Sequence, residues 1–136
     1  YRASSTQKTY IGNSLGGLFG ATILFTMPDL FNNYIIGSPS VWFNSNAVLA
    51  LEAHKPKVPI KVYISVGAKE TLSFGEGQNM VEGAKQLTQK INALSSDNIE
   101  LKSVVIEGAS HATAFPTTAI QGLDWVLGMT PIDLNI

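Results

Sequence analysis

Cysteine is absent from all 136 residues. That excludes disulfides, thiolate metal ligands and a cysteine nucleophile, and it leaves the cellular compartment open. Arginine occurs once, at Arg2, and charged residues make up only 14% of the chain, with nine Lys+Arg against ten Asp+Glu. Without a basic stripe or interleaved aromatics, a nucleic-acid partner has no electrostatic support. Lys55, Lys57 and Lys61 read as a solvated connection. No GxGxxG, P-loop, HExxH or CxxC pattern occurs, so no nucleotide, metal or other cofactor is expected. Long apolar runs are missing too. The stretch from Leu15 to Met27 is too short to span a bilayer and carries Gly16, Gly17 and Gly20, which suits a helix packed closely on a sheet rather than a membrane segment.

What the chain has in quantity is hydrophobic residues (45%) and glycine (12), enough for one packed domain covering residues 1–136. Strand and helix patterns alternate four times without a composition break, which predicts a single α/β unit with a parallel sheet and flanking helices. Strands are expected near Lys8 to Gly12, Asn33 to Gly37, Ile60 to Val66 and Ile99 to Glu107. The third, IKVYISV, has the β-branched density of a buried parallel strand. Helices are expected from Leu15 to Thr26, from a cap at Asn44 or Ser45 through His54, from Met80 to Leu94 on an amphipathic pattern, and from Phe115 to Leu127 with Pro116 at its start. Right-handed crossovers would bring every strand-to-helix loop to one edge of the sheet.

The most informative junction is Gly12-Asn13-Ser14-Leu15-Gly16-Gly17. A GxSxG turn between strand and helix holds its serine in a strained backbone conformation with the hydroxyl lifted clear of the sheet. Ser14 is therefore the candidate nucleophile, and the Leu15 N–H at the helix start is a candidate oxyanion donor. A general base is expected late in the chain. His111, in the loop from Gly108 to Ala114, has that place, whereas His54 reads as a helix end without a catalytic role. The orienting acid should lie between Gly67 and Gly77, where Glu70 is preferred to Glu76 because it sits closer to the strand end. Ser38 and Ser40 flank Pro39 in a turn and read as pocket wall or turn hydrogen bonders. Ser38 and Trp42 are the substrate-contact candidates, although Trp42 also suits a buried core.

Taken together, Gly12 to Phe19, Gly37 to Trp42, Ile64 to Gly67 and Gly108 to His111 resemble the esterase D-like family of α/β-hydrolases, in its siderophore-esterase-like branch. The resemblance implies cleavage of small-molecule carboxylic esters through a Ser14 acyl-enzyme, with His111 as base, Glu70 as acid and no cofactor. A sole arginine offers little to hold a strongly anionic ligand. Thioester or peptide cleavage by the same machinery is an alternative, as are a non-catalytic binding or assembly module and a flavodoxin-like domain. Family domains are about twice this length, and the chain opens on Tyr1-Arg2 without a methionine. The chain thus reads as the second half of an α/β-hydrolase, with a companion N-terminal fragment or self-association expected to cover its first strand.

Overall fold

The computed structural model describes residues 2–128. Its elements run β1 (Thr9–Asn13), α1 (Leu15–Thr26), β2 (Asn33–Gly37), α2 (Phe43–Ala50), β3 (Ile60–Gly67), α3 (Met80–Ala93), β4 (Ile99–Ile106) and α4 (His111–Leu127). The four strands form a parallel sheet in the order β1-β2-β3-β4, the β-α alternation expected from the sequence. Register aligns Asn13, Gly37 and Ser65 across the first three strands. The loops that follow them therefore emerge side by side along the carboxyl rim.

Burial follows the period-two pattern of the strands. Tyr34, Ile36, Val62, Ile64 and Val66 enter one core with Leu24 and Phe25 of α1 and Leu87 and Ile91 of α3. Ile35 and Tyr63, pointing the other way, meet Val126 and partly buried Leu123 and Trp125 of α4. Each fully buried aliphatic side chain stabilises the sheet by about 1.5–3 kcal/mol, which is why two-sided strands such as β2 and β3 read as nearly continuous apolar runs. β1 lies at one edge of the described sheet, with Ile11, Leu15 and Phe19 exposed beside it.

Two helices differ from expectation. α2 ends at Ala50; the Lys90 ammonium caps this end by donating to the carbonyls of Leu49 and Leu51 at 3.0 and 2.7 Å. His54 thus lies beyond the helix, with its backbone N–H on the Phe25 carbonyl. Asn44 and Ser45 are not caps: they and Asn46 hold left-handed φ values of 51°, 54° and 60°, a region asparagine tolerates better than most residues. α4 begins at His111, four residues before Phe115, because Ser110 and Thr113 form a reciprocal capping box. Pro116 is then inside the helix rather than at its start, and His111 is the first residue of a helix rather than part of a loop.

Candidate active site

Ser14 stands between β1 and α1 at φ 59° and ψ −116°, a conformation that costs on the order of 1–3 kcal/mol for a residue other than glycine and persists only where its surroundings enforce it. Those surroundings are specific. The Ser14 N–H donates to the Gly37 carbonyl at 3.0 Å, and its own carbonyl accepts from Leu18 N–H at 3.0 Å and Ser40 N–H at 3.1 Å. Gly12 is obligatory here, because a Cβ would fall 2.6 Å from the Gly16 carbonyl carbon and 2.8 Å from the Tyr10 ring. Leu15, as the first residue of α1, has no intrahelical carbonyl for its N–H, which leaves a donor beside the Ser14 hydroxyl.

The second half of the constellation comes from the loops after β3 and β4. Glu70 is fully buried. Its Oε1 accepts from the Ser38 hydroxyl at 2.6 Å and from the Gly67 N–H at 2.8 Å, and its Oε2 lies 2.7 Å from His111 Nδ1. A carboxylate only accepts, so Nδ1 carries the proton and Nε2 is left as the free ring nitrogen. The two loops meet because Gly67 has no side chain where the Ala109 carbonyl passes, and the Lys69 N–H donates to that carbonyl at 2.9 Å. Two turns of helix beyond His111, the Thr118 and Ser65 hydroxyls are hydrogen-bonded at 2.5 Å, both fully buried, tying α4 to β3.

Ser14 and His111 line a common cleft of about 170 Å³ with Ser40, Trp42, Glu76 and Gln78. The Ser14 hydroxyl bonds there to Ser40 Oγ at 3.2 Å. The sequence places Ser14, Glu70 and His111 at one rim and leaves Trp42 between pocket and core; the structure brings the first three together, and Trp42 lines the cleft at 43% exposure. Glu76 lines the cleft, but the carboxylate on the imidazole is that of Glu70. Ser38 is a correction. It is fully buried beneath the rim with its hydroxyl committed to Glu70, so it contacts a carboxylate and not the cleft. Ser40, expected as pocket wall or turn hydrogen bonder, lines the cleft and is the partner of the Ser14 hydroxyl. A serine next to proline carries no local signal for either role, because both partners are distant in sequence.

Chemically, the cleft combines a hydroxyl on a strained turn with an imidazole oriented by a buried carboxylate. No protein-family model matches the chain. It is 29% identical over 133 residues to the ferri-bacillibactin esterase BesA of Bacillus subtilis, covering 93% of this chain and 45% of that protein. It is 36% identical over 74 residues to the siderophore enterobactin esterase of Emericella nidulans, covering 54% of this chain and 24% of that one. Among solved structures, the BES protein from Bacillus cereus superposes with a TM-score of 0.71 at 33% identity, over 87% of this chain and 44% of the other. The siderophore hydrolase EstB from Aspergillus nidulans shares the fold at a TM-score of 0.65 and 21% identity, over 96% of this chain and 52% of that chain. The chain thus spans less than half the length of the curated relatives it matches. These relatives bear out the resemblance to siderophore esterases, and the architecture is that of an α/β-hydrolase.

Proposed function

We propose that this chain carries the nucleophile, base and acid of a serine esterase acting on small-molecule carboxylic esters, siderophore esters being the class to which its relatives' names point. The observation that carries the reading is the junction of two hydrogen-bonded groups at one rim: Ser14 on its strained turn, and His111, which lines the same cleft and is held from beneath by buried Glu70. In the proposed reaction the Ser14 hydroxyl exchanges its bond to Ser40 for one to His111 Nε2. Its oxygen then attacks the ester carbonyl carbon while the proton passes to the imidazole. The resulting oxyanion takes the Leu15 N–H, and a donor of this kind contributes about 3 kcal/mol to the barrier reduction. Collapse breaks the acyl C–O bond, and the leaving alkoxide takes the proton from Nε2. Water, deprotonated by the same nitrogen, then attacks the acyl carbon, and Ser14 departs with the proton. Throughout, Glu70 stays ionised and holds the imidazole in one tautomer.

Cover for β1 is assigned to the companion N-terminal fragment or self-association anticipated from the sequence. Among the described residues lining the cleft there is no lysine or arginine, and the exposed Trp42 is the side chain this chain offers an ester there.

The test is labelling of the intact protein with a fluorophosphonate, followed by peptide mapping. The adduct should sit on Ser14, and Ser14→Ala should remove both the adduct and the ester turnover while thermal stability holds. An unlabelled wild-type protein, or turnover surviving in Ser14→Ala, would refute the assignment. Matched ester, thioester and amide substrates should rank in favour of the ester.

A further inference from the structure

The Gly37–Ser40 turn touches both ends of the proposed relay, and its first serine does so without reaching the cleft. Ser38 is wholly buried, and its φ of 38° lies in the left-handed region. That conformation suits glycine better than serine, and the proline that follows restricts the backbone further. The turn holds it in place through the Ser38 N–H on the Ser65 carbonyl at 2.7 Å and the Ser40 N–H on the Ser14 carbonyl at 3.1 Å. A glycine would fit the backbone with less strain, so the position gains something else from its hydroxyl. That hydroxyl donates to Glu70 Oε1 at 2.6 Å.

We infer that Ser38 is a positioning residue for the esterase reaction: with the Gly67 N–H it fixes the plane of the Glu70 carboxylate so that Oε2 alone faces His111. The inference rests on the proposed function. A glutamate side chain turns about three bonds. Two donors on one oxygen, 2.6 and 2.8 Å away, stop the carboxylate from rotating and hold the other oxygen at 2.7 Å from Nδ1. Without Ser38, the Gly67 N–H alone holds Oε1 and restrains that rotation less. The imidazole's direction follows the carboxylate, and proton transfer from Ser14 depends on that direction.

The experiment uses the intact protein and p-nitrophenyl acetate as the probe ester, with Ser38→Gly and Ser38→Ala compared. Both variants remove the hydroxyl, but only alanine keeps the left-handed strain. Turnover should fall on the order of 10- to 100-fold in kcat in both, with KM within about twofold of wild type, as expected for loss of alignment rather than of binding. The thermal midpoint should fall in Ser38→Ala and hold or rise in Ser38→Gly. A purely structural serine would make stability and turnover move together, which the glycine variant separates. Wild-type kcat in Ser38→Gly would overturn the inference while leaving the esterase reading intact, provided that wild type is labelled by the fluorophosphonate. A raised KM with unchanged kcat would also overturn it, returning Ser38 to the substrate pocket. Failure of wild type to be labelled or to turn over ester would bring down both.

Discussion

The two rims of the sheet use their polar groups differently. At the amino rim lies the roomier cavity, about 800 Å³, lined by Asn32, Asn33, Lys61, Asp97 and Asn98 among others. There the polar side chains mostly hold backbone: Asn32 Oδ1 accepts from Lys8 N–H at 2.9 Å, Asn98 Nδ2 donates to the Pro56 carbonyl at 3.0 Å, and Tyr34 donates to the Pro28 carbonyl at 2.8 Å. Asn33 reaches the Thr9 hydroxyl, and Lys61 and Glu100 form a partly solvated pair at 3.9 Å. At the carboxyl rim the cleft is about 170 Å³, yet side chain meets side chain in Ser38–Glu70–His111, Ser14–Ser40 and Ser65–Thr118. Such bonds are a small minority in folded proteins, about 10–15% of the total. Left-handed serines occur at this rim as well, at Ser14 and Ser38. Backbone strain combined with bonded polar side chains, rather than the size of a cavity, distinguishes the rim to which the proposed chemistry is assigned.

The comparison can be broken most forcefully at Glu70. Glu70→Gln keeps the shape and the oxygen that accepts from Ser38 and Gly67, but it no longer presents a charged acceptor to His111 Nδ1. Turnover should fall by about 10³- to 10⁴-fold, in line with isosteric loss of the orienting acid in a serine triad, while circular dichroism stays unchanged. Steady-state kinetics on p-nitrophenyl acetate would check it, and a drop below tenfold would mean that the carboxyl rim is not organised around this pair.

At the amino rim the expected effects are on stability. Tyr34→Phe should cost about 1 kcal/mol by removing one buried hydrogen bond and should leave kcat alone, as measured by denaturant unfolding beside the same assay. Burial pushes the Tyr34 phenol up to about 12, with the Asp29 carboxylate adding to the rise and a hydrogen bond with the Phe31 backbone opposing it. The folded state therefore retains this proton where the unfolded chain loses it. The contribution is complete below the ordinary phenol value of 10.0 and is lost as pH climbs toward about 12. Unfolding titrations across that window should show a falling slope in wild type that Tyr34→Phe reduces.

The smallest effect is expected at Lys61, which lies 3.9 Å from Glu100 and 5.4 Å from the Trp125 ring centroid. Both carboxylate and ammonium are partly solvated, so Lys61→Ala should cost less than about 1 kcal/mol and leave turnover within about twofold. A large loss of kcat from this change, on the wall of the larger cavity, would reverse the contrast between the rims.

Much of the fold was legible because its signals are local. The β-branched run from Ile60 to Val66, the helical spacing from Met80 to Leu94 and the glycines around Ser14 each announce their element within a few residues, and the observed strands fall within a residue of expectation. The misread helices fail for local reasons of another kind. The Ser110–Thr113 capping box starts α4 before the proline that seemed to mark its beginning, and the Lys90 cap that ends α2 arrives from α3, far along the chain.

By itself, then, the sequence determined the β-α alternation, the turn that exposes Ser14 and the few residues eligible as base and acid, since backbone sterics and side-chain periodicity act over one or two turns of chain. Only the tertiary structure decided that Glu70 rather than Glu76 meets His111, and that Ser38 lies beneath the rim on that carboxylate while Ser40 faces the nucleophile. Those partners are 26 to 41 residues apart, and their meeting is fixed by strand register and by the close approach of Gly67 to Ala109, which no local pattern encodes.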